Sequence, residues 1–134
     1  MLILGVEFTA HTFGCGVVEV QGKAFTNQGK ILANVRDSFT SPDKGMIPNK
    51  VAGHHTAIAE EVLGQALADA GFAMNNIDFI AYSAGPGLDP ALLAGYKIVT
   101  QWNKIYDKKL REQTLANLAY QTYLGVKNYF EPPR

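Results

Sequence analysis

The stretch AYSAGPGLDPALLAG (residues 81–95) decides the fold, because it carries the chain from a strand through a tight turn into a helix. Its first residues end an apolar run that is typical of a short buried strand. Gly85, Pro86 and Gly87 then form a turn, and we predict a helix from about residue 91 to 106. Ligands of open α/β sheets bind beyond the carboxyl ends of strands, so this turn is a candidate site for a phosphate or a carboxylate.

Asp89 argues against an anion at this turn. Its carboxylate places a negative charge where a phosphate would need donors and positive charge. A structural interpretation explains the same residues, with Asp89 as the N-cap of the helix and Pro90 at its first position. We favour this structural interpretation over a ligand-binding one.

Upstream of this unit the sequence predicts three strands and a helix. The strands are LILGVEF (2–8), FGCGVVEVQG (13–22) and KILANVRDSFT (30–40). A helix follows over residues 50–70, where apolar residues recur every three or four positions, and a third helix is predicted over residues 110–126. The order β-β-β-α-β-α-α indicates an α/β fold with a mixed sheet.

The composition fits one soluble domain. The chain has 134 residues, 47% of them hydrophobic, which is enough for a single core. Lys plus Arg number 12, as do Asp plus Glu, and this zero formal net charge argues against strong binding of nucleic acid or of an anionic membrane. Cys15 is the single cysteine, so the chain has no internal disulfide. The N-terminus lacks the basic region of a signal peptide, and we expect a cytoplasmic protein.

Four motifs in collinear order resemble the archaeal TsaD family. They are GVEFTAHTFGCGVVE (5–19), GKILANVRDSFT (29–40), KGMIPNKVAGHH (44–55) and NNIDFIAYSAGPGLDPALLAG (75–95). The resemblance implies one lobe of the fold shared by actin, Hsp70 and sugar kinases. We assign this lobe to residues 1–110, followed by a divergent helix and tail in residues 111–134.

The resemblance also implies a function. TsaD is the catalytic subunit of the KEOPS complex and transfers a threonylcarbamoyl group to a tRNA adenosine, using a bound metal and a nucleotide-like donor between two lobes. Residues of this chain that match the family's two ligand loops would form a vestigial nucleotide site: Glu7, Thr9, His11, Ser83, Gly85 and Gly87.

Several positions depart from the family pattern. Phe8 replaces a small residue in the first loop, where it either fills the space beside the turn or faces the core. In the second loop Asp89 replaces a glycine and Leu93 replaces an arginine. The metal-binding histidines of the family fall at Leu115 and Ala119. We therefore expect no catalytic residue, no metal site and no cofactor in this chain.

The remaining histidines have structural explanations. His54 and His55 are adjacent, so on a helix they point about 100° apart and do not chelate one ion together. We expect one to be packed in the core and the other to lie at the surface. Ser83 with Glu7 or His11 lacks the further acid that would mark a nucleophile, so no such role is predicted.

The two central helices are candidates for partner binding. In the TsaD family the helices of the first lobe dock the small dimerising KEOPS subunit. The residues we assign to such an interface are Val51, Ile58, Val62, Ala66, Trp102 and Tyr106. The competing interpretation is that both helices do no more than cover the sheet.

Two functions remain open on the sequence. The first is a truncated, degenerate TsaD-like lobe of archaeal or archaeal-virus origin. It would bind the small KEOPS subunit, a full-length TsaD or a second copy of itself, and so modulate threonylcarbamoyladenosine formation. The alternative is the nucleotide-binding half of a two-chain transferase.

Overall fold

A computed structural model describes residues 1–21, 29–41 and 47–106. In these residues a four-stranded sheet packs against two helices. The strands are β1 (Leu2–Glu7), β2 (Thr12–Val20), β3 (Gly29–Ser38) and β4 (Phe79–Tyr82), and the helices are α1 (Pro48–Ala70) and α2 (Asp89–Tyr106). A short 3-10 helix, Met74–Asn76, leads into β4.

The sheet is mixed and has the strand order β3-β2-β1-β4. β2 pairs antiparallel with β1 and β3, while β4 runs parallel to β1. This confirms the predicted α/β class and, over the described residues, the order β-β-β-α-β-α. The helix predicted over residues 110–126 lies outside the described residues, and the division of the chain at residue 110 stays a prediction.

Every second residue of the strands points to the same face of the sheet, and these residues build the core. Leu4 and Val6 of β1 and Phe13, Cys15 and Val17 of β2 are buried beneath the helices. Burial, together with the nearby Glu60 carboxylate, raises the pKa of the Cys15 thiol to about 12. Cys15 is therefore a protonated core residue.

Most of the residues predicted to bind a partner are core residues instead. Val51, Val62, Ala66 and Trp102 are buried against this chain's own sheet and second helix, at 0, 4, 0 and 1% exposure. The helical period predicted the apolar face of the helix correctly, but that face packs against the sheet. Ile58 is half-buried at the edge of the same core, and the side chain of Tyr106 lies outside the described residues.

The helix starts also differ from the sequence prediction. Ile47 occupies the N-cap position of α1 and Pro48 its first position, so the helix begins two residues before the predicted start at residue 50. Asp89 is the first residue of α2 and does not cap it, because the carbonyl of Leu88 accepts the first helical hydrogen bond, from the Leu92 N–H at 2.9 Å. The predicted end of α1 is confirmed, with Gly71 in the left-handed conformation at φ 77°.

No helix within the described ranges is both long enough and apolar enough to cross a membrane.

Phe8 faces the core and does not fill the space beside the turn. Its side chain is 1% exposed and stacks on Tyr82, with the ring centroids 5.9 Å apart. On its other side the ring lies against Gly95 of α2, where a Cβ would sit 2.0 Å from the nearest ring atom. The bulky residue at position 8 therefore depends on the absence of a side chain at position 95.

Gly95→Ala tests this dependence. Helix propensity alone would stabilise the fold by about 1 kcal/mol. Because the added methyl group overlaps the buried Phe8 ring, we expect instead a net loss of about 1–3 kcal/mol in the free energy of unfolding. In a Phe8→Ala background, Gly95→Ala should leave the free energy of unfolding unchanged or raise it. Denaturant unfolding of the four chains in this cycle measures the coupling.

Gly64→Ala is the matched control. Gly64 is an exposed glycine of α1 whose Cβ would meet nothing within 4 Å. This change should raise the free energy of unfolding by about 0.5–1 kcal/mol. A Gly95→Ala chain that gained stability like the control would contradict the packing described here.

Candidate functional site

Two loops meet at one edge of the sheet. Residues 8–11 follow β1, and residues 83–88 follow β4. Because β1 and β4 are parallel neighbours, their carboxyl ends lie side by side and the loops that leave them are in contact. The parallel pairing thus brings the two predicted ligand loops together.

Glu7 links the two loops through its carboxylate. Oε1 accepts hydrogen bonds from the Thr9 N–H at 2.7 Å and the Thr9 hydroxyl at 2.5 Å. Oε2 accepts from the Ser83 hydroxyl at 2.7 Å. Partial burial opposes ionisation of Glu7, but these hydrogen bonds outweigh it, so the pKa of this carboxyl is lowered.

The backbone of the loops is held just as closely. The Leu88 N–H donates to the Thr9 carbonyl at 2.8 Å. A Cβ at Gly87 would lie 2.3 Å from the same carbonyl oxygen, so only glycine permits this approach. Two backbone donors that face this junction, Thr9 N–H and Leu88 N–H, are therefore occupied by partners within the chain.

Most of the predicted nucleotide-site residues lie in this junction. Thr9 and Ser83 both bond to Glu7, and Gly87 lies against Thr9. Gly85 lies one turn away with φ 147°, a backbone conformation that favours glycine. His11 differs: its side chain is exposed, and its carbonyl accepts a hydrogen bond from the Phe39 N–H.

The charge around the junction is mainly negative. Asp89 is exposed in the first turn of α2, beside the loop that contacts the Glu7 carboxylate. Leu93, where the family pattern has an arginine, is 56% exposed. Arg36 lines a neighbouring depression of about 510 Å³ on the open face of the sheet, together with Glu7 and Ser83.

Glycines of paired strands form the floor of that depression. Gly5 of β1 lies opposite Gly16 of β2, and Gly14 lies opposite Glu7. A Cβ at Gly5 would meet no atom closer than 3.9 Å, so packing within the described chain does not require glycine there. Cross-strand register, which no local sequence pattern encodes, brings Gly16 beside Gly5.

A second groove lies between the exposed sides of α1 and α2. Its volume is about 420 Å³. The residues that line it are Ala52, Thr56, Pro90, Leu93, Ala94, Lys97, Ile98 and Gln101. Sequence analysis missed these residues as a group, although Leu93, Lys97 and Gln101 recur at the four-residue spacing of one helix face.

The histidine pair is partly as predicted. His55 is fully buried and His54 lies near the surface, with an 11% exposed side chain. The two rings nevertheless touch, with their Nδ1 atoms 2.9 Å apart, because side-chain rotation closes the gap that the helix opens between neighbouring Cβ atoms. Burial lowers the pKa of His55, opposed by a hydrogen bond to the Ala10 carbonyl.

The described residues contain no group of three or more His, Cys, Asp or Glu placed to hold a metal ion. Leu115 and Ala119, the positions at which the resemblance places the family's metal ligands, lie outside the described residues.

Comparison with known proteins identifies relatives. The family described as TsaD, tRNA N6-adenosine threonylcarbamoyltransferase, matches residues 30–133. The tRNA N6-adenosine threonylcarbamoyltransferase of Sulfurisphaera tokodaii is 42% identical over 110 residues, which are 82% of this chain and 32% of that protein. The enzyme of Hyperthermus butylicus is 41% identical over 108 residues, 81% of this chain and 28% of that protein. The chain thus spans about a third of the length of these relatives.

A solved structure supports the fold. YeaZ from Pseudomonas aeruginosa superimposes with a TM-score of 0.53 at 16% sequence identity, over 76% of this chain and 39% of that one. At this level of sequence identity the similarity supports the fold alone.

Glu7→Gln tests the carboxylate link between the loops. Because the folded-state pKa of Glu7 is lowered below 4.5, the link is complete above that value and is lost as the pH falls through the folded-state pKa. We expect the NMR signal of the Thr9 amide to show an acid transition in the native chain and none in Glu7→Gln.

Ser83→Ala is the matched variant for this titration. It removes one of the hydrogen bonds that lower the pKa and leaves the two from Thr9. The acid transition should therefore persist and move to higher pH. An identical transition in the native chain and in Glu7→Gln would show that Glu7 does not link the loops.

Proposed function

The chain belongs to the TsaD family of tRNA N6-adenosine threonylcarbamoyltransferases, and we propose that it is a protein-binding member of that family without transferase activity of its own. Its place of action would be the cytoplasm, where it would modulate formation of threonylcarbamoyladenosine in tRNA. The observation that carries the proposal is the exposed apolar groove between α1 and α2, beside a loop junction that is closed on itself.

The loop junction lacks the features that hold a phosphate. Anion sites in such loops use free backbone N–H groups and positive charge. Here the Thr9 and Leu88 N–H groups bond within the chain, and Glu7 and Asp89 add negative charge. Two like charges about 4 Å apart repel by about 1 kcal/mol in water and by several times more in a cleft.

The metal of the family does not fit the residues at the matching positions. Leucine and alanine carry no donor atom, and these are the residues at positions 115 and 119. We therefore derive no catalytic step through a metal or a nucleotide in this chain.

The groove has the character of a docking surface. Leu93, which lines the groove, presents apolar area at 56% exposure. Ala52 and Ala94 line the groove with small side chains, which permit close approach of another helix. The partners that suit it are the small dimerising KEOPS subunit, a full-length TsaD, or a second copy of the chain.

A second function has one observation in its favour. Glu7, Thr9, Ser83 and Gly87 lie together where the two loops meet, which supports a nucleotide-binding lobe. The chain would then supply one half of a two-chain transferase, and the partner the other half. This candidate requires measurable affinity for ATP in the presence of that partner.

Leu93→Glu tests the docking groove. We expect the native chain to form a complex with the small KEOPS subunit of a related archaeon, or with itself, in light scattering. A buried charge in the groove should weaken that complex at least about tenfold, equivalent to about 1.4 kcal/mol. Isothermal titration calorimetry measures the loss.

Ile31→Glu is the matched control. Ile31 is 72% exposed on β3, away from the groove, and receives the same change from an aliphatic residue to an acid. Its complex should keep native affinity. Equal weakening by both substitutions, or a chain that stays monomeric with either partner, would refute the docking proposal, and ATP binding with the partner would favour the second function.

A further inference from the structure

A chain of polar contacts connects α1 with the turn that follows β1. His55 Nε2 lies 2.8 Å from the Ala10 carbonyl oxygen, and its Nδ1 lies 2.9 Å from Nδ1 of His54. His54 Nε2 lies 2.6 Å from Oδ1 of Asp37 at the end of β3. We call this chain of contacts the histidine latch. It consists of the side chains of Asp37, His54 and His55 and the contact of His55 with the Ala10 carbonyl.

Counting protons shows that two neutral imidazoles do not complete the latch. The Ala10 carbonyl accepts only, so His55 Nε2 carries a proton. A neutral His55 then offers a lone pair at Nδ1, which requires a proton on His54 Nδ1. His54 Nε2 would be left facing a carboxylate oxygen at 2.6 Å with no proton between them.

The other arrangement of a neutral His54 fails in the same way. A proton on Nε2 satisfies Asp37, but it leaves two imidazole lone pairs facing each other at 2.9 Å. Three contacts need three protons, and two neutral rings carry two. One additional proton, with the negative charge of Asp37, completes the latch at zero net charge.

We propose that the histidine latch is a proton-dependent tie that joins Asp37, at the end of β3, to α1 while Asp37 and His54 share one proton more than two neutral imidazoles carry. The proton resides between Asp37 and His54, because His55 is enclosed in the core. When that proton leaves, one of the two contacts of His54 becomes repulsive and the tie between β3 and α1 weakens, while the hydrogen bond from His55 Nε2–H to the Ala10 carbonyl is kept.

The surroundings favour this placement of the proton. The charged group that acts on His55 from β1 is Glu7, and its influence is outweighed by burial, which lowers the pKa of His55. β2 packs the neutral ring of Phe13 on His55, with centroids 5.5 Å apart. Phe39 packs edge-on against His54 at 6.0 Å. Asp37, 53% exposed, is the charge that faces His54 from β3.

Cys15 and Glu60, which lie farther away on the same face of the core, do not supply the additional proton of the latch. Cys15 of β2 has its pKa raised to about 12 by burial and stays uncharged. α2 presents Trp102, which packs on Phe13 and donates its indole N–H to Glu60 of α1 at 2.7 Å. The carboxylate of Glu60 is thus engaged with α2.

The latch makes stability depend on pH with a definite sign. Free imidazoles in the unfolded chain lose their protons as the pH rises through about 6.5. The folded latch keeps one proton there, so it binds more protons than the unfolded chain and stability falls as the pH rises. The equilibrium constant for unfolding increases by up to about tenfold per pH unit for one proton.

Asp37→Asn removes the need for the additional proton. The carboxamide can donate to His54 Nε2, so two neutral rings then complete all three contacts. Unfolding of the 134-residue chain is measured between pH 6.5 and 8, below the ordinary range of the thiol. We expect the equilibrium constant for unfolding to rise more steeply with pH in the native chain than in Asp37→Asn. The difference should reach up to about tenfold per pH unit.

Asp69→Asn is the matched control, because Asp69 accepts from the neutral Gln65 amide at 2.6 Å on α1 and involves no imidazole. It should keep the native pH dependence, and groups such as the N-terminal amine contribute equally to all three chains. Equal pH dependence in the native and Asp37→Asn chains would overturn the proposal.

Direct proton counting gives a second, independent test on the native chain. Long-range ¹⁵N–¹H NMR distinguishes a doubly protonated ring from each neutral tautomer, and His11→Gln leaves only the latch histidines to assign. At pH 7 we expect one doubly protonated ring and one ring protonated at Nε2. Two neutral rings would overturn the proposal even if Asp37→Asn failed to fold.

Discussion

The close contact between the Thr9 backbone and Gly87 is the constraint from which the rest of the structure follows. It requires parallel β1 and β4 as neighbours, and it requires glycine at position 87. The Leu88 N–H that bonds to Thr9 also belongs to the residue that caps α2. The position of α2, and with it the groove shared with α1, is therefore set by the same contact that closes the loop junction.

The Phe8 ring shows how a family fold accommodates an unusual residue. A phenylalanine in the first loop would obstruct that loop if its ring pointed outward. In this chain the ring enters the core and occupies the place where residue 95 has no side chain. The change at position 8 is thus absorbed by packing behind the loop.

The sequence predicted local features well and long-range contacts poorly. The end of α1 at residue 70 was predicted correctly, and the next residue, Gly71, has the left-handed conformation that commonly ends a helix. The helical period identified the buried stripe that contains Val51 and Val62. It did not identify what covers that stripe, because a period defines one face of a helix and not the surface that packs on it. The contact of His55 with Ala10 spans 45 positions along the chain, and no local pattern encodes it.

Two ties of opposite proton dependence hold elements that meet near the loop junction. Glu7 holds Thr9 when ionised, and that tie is lost in acid. On the proton count, the contacts of His54 hold β3 to α1 while Asp37 and His54 share the additional proton, and that tie weakens as the pH rises. The two ties are complete together only in an intermediate range of pH. The contact of His55 with the Ala10 carbonyl needs no additional proton, so the turn that follows β1 stays joined to α1 when the tie to β3 weakens.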